Sequence, residues 1–329
     1  MDQNRTLIIA EIGSNHDQSL DQALEMIRIA ADCGADAVKF QSIHPDKLIR
    51  DQEQSAEDRR LFQTIQLKES WYSELFGYCK KVGILGFSAP TYLEAVPLLV
   101  NQGVRLLKIA SPQTFGFPKL IQEVAQTNLP TLMSTGYCLW PEIQRAVDLF
   151  AEYGDLNNLT LLHCVSEYPT PYEHVNLRFM ERLKQFHVNV GLSDHTLGTE
   201  VAVAAVARGA TVIEKHLTIS RTQRGPDHYF ALEPQEFRNM VNQIRNIEQA
   251  LGTECKEFLT EFELEFRKNL VMYPCAAHPF KAGDKITEED LCYYRSKNRG
   301  ISPWDIPHSF YIKCDLSRMD QLQRGDIIL

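Results

Sequence analysis

The 329-residue sequence lacks the features that mark several protein classes. It has eight cysteines but no C-x-x-C pair, and scattered cysteines in a chain of this length indicate reduced core thiols, not a disulfide framework. No apolar run approaches the ~20 residues that a membrane span needs. The apolar run near the N-terminus is also too short for a signal peptide. We therefore expect a cytoplasmic protein without a membrane partner.

Positive charge is scarce as well. Lys and Arg number 34 against 43 Asp and Glu, which leaves a net charge of −9. Binding to a phosphate backbone requires a basic surface, so nucleic acid is not expected as a main partner. A local lysine cluster could still bind an anionic small molecule. The H-x-H motif that metal-dependent barrel hydrolases commonly carry on the first strand is absent too, which disfavours that class.

Eight short apolar runs recur along the first 250 residues, separated by segments that are long and amphipathic enough to be helices. The runs cover residues 6–13, 35–41, 84–90, 106–111, 131–136, 159–164, 188–194 and 211–217. Strand followed by helix, eight times, predicts an α/β fold of the (β/α)8 TIM-barrel type. We assign the barrel to residues 1–252, a charged linker to 253–268 and a small C-terminal module to 269–329.

The last two predicted strands bring candidate metal ligands together. Active sites of such barrels lie at the C-terminal ends of the strands. Here Asp194 and His195 end the seventh strand, and Glu214 and His216 lie on the eighth. Two imidazoles on neighbouring strand ends predict a divalent-metal site, with Asp194 or Glu214 as a ligand, an orienting partner or a general base. A pair of buried, hydrogen-bonded histidines is the alternative, and the adjacent carboxylates favour the metal.

Two lysines lie within apolar strands. Lys39 and Lys108 would be costly to bury there unless they meet an anion. Three hydroxyls at other strand ends, those of Ser111, Ser134 and Ser193, could complete a site for a phosphate or carboxylate group. A Schiff-base lysine and a structural ion pair are the alternatives. The combination of two lysines with several hydroxyls favours anion binding.

Three further segments bear on the mouth of the barrel. Glu11 faces the mouth from the first strand. The long polar insertion 42–70 follows the second strand on the same side, as a solvated loop or as a rim that covers the site or contacts a partner. Cys164 is predicted to be a packed thiol, because no motif marks it as a nucleophile.

In their order and spacing, several motifs resemble the sialic acid synthase family. They are AEIGSNH, AVKFQ, LLKIAS, MSTG, LLHCVSEYPTPYE, VGLSDHT, VIEKHLT and RGPDH. The C-terminal module resembles the antifreeze-like (SAF) domain of these enzymes. The resemblance implies a transferase that condenses phosphoenolpyruvate with an open-chain N-acetylated hexose, either N-acetylmannosamine or a diacetamido analogue, with C–O cleavage and release of phosphate.

The same resemblance implies roles for individual residues. A divalent metal, Mn²⁺ or Mg²⁺, would be bound by His195 and His216. The family is also known as a homodimer with exchanged SAF domains, in which Arg295 would reach the partner's barrel. The implied phosphoenolpyruvate-binding residues are Lys39, Lys108, Ser111, Ser134 and Ser193; the sugar-binding residues are Glu11, Gln41, Ser166, Tyr168, Asp227 and Arg295; and the catalytic residues are Glu214, Glu11 and Asp194.

Two departures from the family pattern leave the sugar open. Ser166 stands where N-acetylneuraminate-forming members often have asparagine, and Arg295-Ser-Lys replaces the usual Arg-Pro-Gly. A legionaminate- or pseudaminate-type product, or another sugar for a surface polysaccharide, remains an alternative. A synthase acting on a phosphorylated sugar would need a second basic cluster, for which Arg221 and Arg224 are modest candidates. A non-enzymatic barrel would be expected to lack the metal or lysine positions, and all are present.

Overall fold

The computed structural model describes residues 5–49 and 55–328. The chain forms two compact units that divide between Gly252 and Thr253. No helix among the described residues is long and apolar enough to cross a membrane.

The first unit contains eight parallel strands at the predicted places. They are β1 (Leu7–Gly13), β2 (Ala37–Ser42), β3 (Leu85–Pro90), β4 (Leu107–Ile109), β5 (Thr131–Ser134), β6 (Leu159–Cys164), β7 (Asn189–Asp194) and β8 (Val212–His216). Their hydrogen-bonded order is β3-β2-β1-β8-β7-β6-β5-β4, so β1 pairs with β8 and the sheet wraps into a nearly closed barrel. The predicted TIM-barrel fold is confirmed.

Helices pack around these strands. They are α1 (Leu20–Asp32), α2 (Pro45–Leu48), α3 (Ala56–Ile65), α4 (Tyr72–Val82), α5 (Ala95–Asn101), α6 (Ser111–Gly116), α7 (Pro118–Gln126), α8 (Trp140–Tyr153), α9 (Phe179–Leu183), α10 (Glu200–Ala207) and α11 (Pro234–Leu251). Helix α1 illustrates how the local sequence sets a helix start. Ser19 caps its N-terminus by accepting a hydrogen bond from the Gln22 backbone amide. Its apolar residues, at helical spacing, face the strands.

The described parts of the insertion after β2, residues 42–49 and 55–70, contain more helix than the sequence suggested. They include α2 and α3, and α3 begins with a reciprocal capping box between Ser55 and Asp58. Helix α3 buries none of its residues completely, so it does not belong to the barrel core. The insertion therefore lies on the barrel and is not an extended loop.

The barrel interior changes character along its axis. Side chains alternate along a strand, so Ile9 and Glu11 both point inward from β1. Ile9 belongs to a buried apolar cluster with Ala37, Leu132 and other inward residues near the N-terminal ends of the strands. Glu11, two residues further along β1, is level with Lys39 of β2. The barrel interior is thus apolar near the N-terminal ends of the strands and charged near their C-terminal ends, where the cavity opens.

The second unit is small and consists mainly of short antiparallel strands. Its elements are α12 (Glu261–Arg267), β9 (Met272–Ala276), β10 (Lys285–Thr287), β11 (Leu291–Arg295), β12 (Ser309–Ile312) and β13 (Ile327–Ile328). Strand β11 pairs with β9, and β12 lies between β10 and β13. Ile286, Phe310, Ile312 and Leu322 form its buried core.

Candidate active site

A cavity of about 520 Å³ opens at the C-terminal ends of the barrel strands. This volume is within the range typical of small-molecule sites. Most of the residues predicted for the site line this cavity. They are Glu11, Lys39, Gln41, Lys108, Ser111, Ser134, Ser166, Tyr168, Ser193, His195, Glu214 and His216.

Two lysines and two glutamates form a buried cluster at the base of the cavity, which we call the inner cluster: Glu11, Lys39, Lys108 and Glu214. The Lys39 ammonium lies 2.8 Å from Glu11 Oε2 and 3.7 Å from Glu214 Oε1. The Lys108 ammonium donates to both oxygens of Glu214, at 3.0 and 2.9 Å. The Ser193 hydroxyl also donates to Glu214 Oε1, at 2.9 Å. All four charged side chains are buried within the barrel.

The surroundings push the pKa values of the two glutamates apart. Burial raises the pKa of Glu11, and the nearby Lys39 only partly offsets that effect. Burial would also raise the pKa of Glu214, but the charges of Lys108 and Lys39 outweigh it and lower that pKa to about 2. Two carboxyl groups with divergent pKa values are the usual arrangement for an acid and a base in one site. Within the inner cluster, Glu11 thus holds a proton more readily than Glu214 does.

Hydroxyl groups continue the polar wall above the lysines. The Ser134 hydroxyl is buried and has no hydrogen-bond partner within the described part of the chain. The Ser111 hydroxyl accepts from the Gly136 amide at 3.0 Å. A Cβ atom at Gly136 would lie 2.3 Å from Ser166 Oγ, so only glycine allows this approach. An unpartnered buried hydroxyl beside two lysines is suited to an anionic ligand.

The two predicted metal ligands face each other. The ring centroids of His195 and His216 are 5.5 Å apart, and the His195 ring lies 4.4 Å from that of Tyr168. His195 Nδ1 donates to the Val165 carbonyl at 2.8 Å, so Nε2 is the ring nitrogen left for a cation. Burial lowers the pKa of His216 to about 3, so its ring is neutral at physiological pH. The charge and hydrogen bond of Cys164 raise the pKa of His195 despite its burial, so His195 would release a proton when it binds a cation.

These side chains fit a divalent cation with open coordination positions. Among residues 5–49 and 55–328, no group of three or more His, Cys, Asp or Glu side chains is placed to hold a metal ion, so the protein would supply only the two imidazoles. Within these ranges, His216 Nδ1 is buried and has no hydrogen-bond partner. The protein therefore leaves this polar atom of the site unsatisfied. Catalytic metal sites keep positions open for water or substrate, whereas structural sites are closed by protein ligands, so two imidazoles alone could serve only a site of the open kind.

Asp194 does not face the cavity, so the geometry gives no support to the catalytic role predicted for it. Its carboxylate points to the outer side of the barrel wall, where Oδ2 accepts from the Lys215 ammonium at 2.6 Å. Oδ1 accepts from the amide and the hydroxyl of Thr196, at 2.9 and 2.8 Å. Strand alternation explains this position, because Ser193 and His195 on either side of it face inward.

Only some of the residues predicted to bind the sugar line the cavity. Gln41 Nε2 donates to Glu11 Oε1 at 2.6 Å, which connects this residue to the inner cluster. Asp227 Oδ2 accepts from the amide and hydroxyl of Ser14, at 3.2 and 2.9 Å. Arg295 ends β11 in the second unit and is exposed. Its predicted reach to a partner's barrel stays a prediction, as does the homodimer.

Sequence reasoning missed an apolar wall of the cavity. Four apolar residues from the insertion after β2 line the cavity: Ile43, Leu48, Ile49 and Phe62. We call these four residues the apolar wall. Their approach to the cavity depends on how α2 and α3 fold back, and the sequence shows no local signal for that. The insertion thus forms part of the site, as one of the two interpretations had it.

Cys164 is in the cavity wall as well as packed. Its sulfur lies 3.6 Å from the Ser111 hydroxyl. Burial favours the neutral thiol, but the charge and hydrogen bond of His195 outweigh it and lower the pKa of Cys164 to about 7. Alternation along β6 could have indicated this position, since the neighbouring His163 points outward and its Nε2 donates to the Val175 carbonyl at 2.6 Å.

Comparison with known proteins decides the family. The profile of the NeuB family matches residues 26–256, which covers most of the chain. The chain belongs to the NeuB family. The members of this family are phosphoenolpyruvate-dependent nonulosonic acid synthases, which are transferases, so the predicted enzyme class is confirmed. The match ends near the boundary of the two units, and the SAF assignment of the second unit stays a prediction.

Several relatives cover nearly the full length. The N,N'-diacetyllegionaminic acid synthase of Campylobacter jejuni is 38% identical over 91% of this chain and 92% of its own. A pseudaminic acid synthase of the same species is 34% identical over 98% of this chain and 96% of its own. The solved N-acetylneuraminic acid synthetase of Leptospira borgpetersenii superposes with a TM-score of 0.74, at 33% identity, over 81% of this chain and 92% of its own. The relatives therefore agree on the reaction class and differ in the sugar.

Proposed function

We propose that this enzyme joins C3 of phosphoenolpyruvate to the aldehyde carbon of an open-chain, unphosphorylated N-acylated hexose, and releases a nonulosonic acid and inorganic phosphate. The observation that carries the proposal is the inner cluster, in which Lys39 and Lys108 are buried at the base of the cavity. Each ammonium group has three N–H donors. Within the inner cluster, the glutamate oxygens occupy at most two of the three donors of each ammonium group, so an anionic substrate can bind.

Charge balance supports a cation beside the inner cluster. With Glu11 protonated, as its proposed role as proton donor requires, the inner cluster carries one net positive charge, whereas phosphoenolpyruvate brings a carboxylate and a phosphate into the same buried space. Burying that charge without compensation would be costly. Mn²⁺ or Mg²⁺ held by His195 and His216 would supply positive charge and would polarise the aldehyde oxygen as a Lewis acid.

The two glutamates suit the two proton transfers of the reaction. The electron pair of the C2=C3 bond forms the new C–C bond, and Glu11 donates a proton to the aldehyde oxygen. Positive charge then develops at C2, where the Glu214 carboxylate stabilises it. Water adds to C2 and its proton passes to Glu214. Because Lys39 contacts both carboxylates, the proton can return to Glu11 between turnovers.

Phosphate leaves in the last chemical step. The tetrahedral intermediate at C2 breaks its C–O bond to phosphate, the remaining hydroxyl becomes the ketone, and its proton departs with the phosphate. Lys108 and Lys39 stabilise the negative charge of the leaving group, with Ser134, Ser111 and Ser193 as hydroxyl donors around it.

For the sugar, we propose a diacetamido hexose that leads to a legionaminate-type product. The relatives named for that product are 38% and 36% identical to this chain, and the apolar wall could receive an acetamido methyl group. Tyr168, Ser166, Asp227 and Gln41 would contact the sugar's polar groups. A phosphorylated sugar is disfavoured because Arg221 is held in a bidentate ion pair with Glu236.

The test is phosphate release from phosphoenolpyruvate across a matched panel of sugars. The panel contains N-acetylmannosamine, its 6-phosphate and a diacetamido hexose of the same configuration, each with Mn²⁺ and with EDTA. We expect the highest kcat/KM with the diacetamido sugar, no gain from the phosphate group and no turnover in EDTA. Mass spectrometry of the product would confirm the new C–C bond.

The outcomes separate the parts of the proposal. Phosphate release in the absence of any sugar would refute the synthase reaction. A lack of phosphate release with every sugar of the panel would refute it as well. A preference for the 6-phosphate would refute the unphosphorylated substrate only. The variant His216→Ala should lose turnover while its circular dichroism spectrum stays that of the wild type, and full activity would refute the metal assignment.

A further inference from the structure

We propose that Asp194 and Lys215, on the outer face of the barrel wall, are positioning residues that hold His195 and His216 in place for the cation. We call Asp194, Thr196 and Lys215 the outer clamp. This inference rests on the metal site of the proposed function and adds to it the groups that set its geometry.

The register of the last two strands places the clamp directly beside the imidazoles. Asp194 and Lys215 are partners in the pairing of β7 with β8. The preceding partners, Ser193 and Glu214, hydrogen-bond to each other inside the barrel at 2.9 Å. Successive side chains alternate between the two faces of the wall. The ion pair therefore joins the two strands on the outside, one residue before the two imidazoles leave them on the inside.

Thr196 extends the clamp to the far side of His195. Asp194 Oδ1 accepts from the Thr196 amide at 2.9 Å and from its hydroxyl at 2.8 Å. The Lys215 ammonium donates to Asp194 Oδ2 and to the Thr196 carbonyl, both at 2.6 Å. His195 lies between the two residues that Lys215 binds, so its backbone cannot rotate without breaking these contacts.

The remaining contacts of His195 fix the direction of its ring. Its carbonyl accepts from the Thr170 amide at 2.9 Å, and its Nδ1 donates to the Val165 carbonyl at 2.8 Å. On the neighbouring strand, the His216 carbonyl accepts from the Leu232 amide at 2.9 Å. The two backbones are each hydrogen-bonded to surrounding loops, and the outer clamp joins them to one another on the outer face of the wall.

The chemistry of the clamp favours positioning over stability as its purpose. Asp194, Thr196 and Lys215 are only 3%, 1% and 1% exposed. Two buried charges lose their hydration, and their attraction often does no more than offset that loss. Apolar side chains would fill the same space at similar stability, but they would not fix one geometry. Directional, charge-assisted hydrogen bonds do fix one.

The experiment measures the affinity of the full-length protein for Mn²⁺ alone, by calorimetric titration without substrates. The near-isosteric variant Asp194→Asn should bind Mn²⁺ about 10- to 100-fold more weakly, the range found when groups that orient metal ligands are changed. The matched control is Asp36→Asn. Asp36 is also held by charge, accepting from Arg245 at 2.5 Å, but it precedes β2 at the opposite end of the barrel. The control should lose stability without losing affinity for Mn²⁺.

A milder variant guards against misfolding. Thr196→Val removes one hydroxyl donor to Asp194 and should weaken Mn²⁺ binding in the same direction, by less than Asp194→Asn. Unchanged Mn²⁺ affinity in both clamp variants would overturn the positioning role while leaving the metal site intact. Absence of Mn²⁺ binding in the wild type would overturn both, and binding that persists in His216→Ala would place the ion elsewhere.

Discussion

Two buried clusters of carboxylates and lysines lie on opposite faces of the same barrel wall. In the outer clamp, the Asp194 carboxylate and the Lys215 ammonium meet protein partners at 2.6 to 2.9 Å, and the cavity does not reach them. The inner cluster lines the cavity, next to the partnerless hydroxyl of Ser134. The same residue types thus serve two purposes, and what separates them is unused hydrogen-bonding capacity facing open space.

This comparison has a physical basis. Both clusters lose hydration on folding, and the loss must be offset by partners. Where the protein supplies the partners, the cluster fixes geometry. Where the protein leaves hydrogen-bond donors without acceptors, a ligand of opposite charge can accept from them. Its binding then replaces the hydration that the charged groups lost on folding. Buried charge alone does not indicate function, whereas incompletely satisfied buried charge at a cavity does.

The largest expected effect is on the inner cluster. Glu214→Gln keeps the shape of the side chain but removes the charge that faces the developing positive centre and accepts the water's proton. We expect kcat to fall by about 10³-fold, within the range of general acid–base catalysis. Phosphate-release kinetics measure the loss, and the melting temperature serves as the folding control. A loss below tenfold would contradict the catalytic role of Glu214.

The next effect concerns stability on the outer side. Lys215→Met leaves Asp194 buried without its countercharge, and breaking such a pair costs about 3–5 kcal/mol of unfolding free energy. The double variant Asp194→Leu/Lys215→Met removes both charges and should recover most of that loss. Urea unfolding gives both values. If the outer clamp fixes the geometry of the two imidazoles, the double variant regains stability but not Mn²⁺ affinity. Recovery of both would show that apolar packing can replace the clamp.

The sequence predicted the barrel because eight apolar runs and their amphipathic connections carry the periodicities of strands and helices. It also predicted that Glu214 and His216 share a face and that Lys215 does not, from strand alternation alone. Asp194 was assigned to the site because it adjoins His195, although the same alternation places it outside. Adjacency in sequence was the weaker argument.

Other parts of the site had no readable signal. Leu48 and Phe62 reach the cavity because α2 and α3 of the insertion after β2 lie against its mouth. The side-chain nitrogen Nε2 of Gln18 helps to hold the end of α3 there, since it donates to the Thr64 and Gln66 carbonyls. That arrangement is tertiary. The predicted role of Arg295 would involve a second subunit and stays a prediction.

A third prediction uses acid unfolding to probe the inner cluster. The pKa of Glu214 is about 2 in the folded protein against an ordinary value of 4.5, so folding favours its ionised form. Its contribution to stability is complete above pH 4.5 and is lost as the pH falls toward 2. In urea titrations at pH 5, 4 and 3, the wild type should therefore lose stability more steeply than Glu214→Gln. Parallel pH profiles would show that Glu214 is not held ionised by its lysines.

The smallest expected effect tests the apolar wall, where neither cluster's charges act. Phe62→Ser shortens a half-buried apolar side chain at the cavity and adds a hydroxyl. A change of this kind in a hydrophobic pocket alters kcat/KM by roughly 10-fold or more. We expect that loss for the diacetamido sugar, with the KM for phosphoenolpyruvate unchanged because the inner cluster is intact. Leu61→Ser is the matched control, since Leu61 is the neighbouring residue on α3, is 46% exposed and does not line the cavity. Equal effects of the two substitutions would show that the sugar does not touch the apolar wall, and specificity would then have to come from the polar side of the cavity.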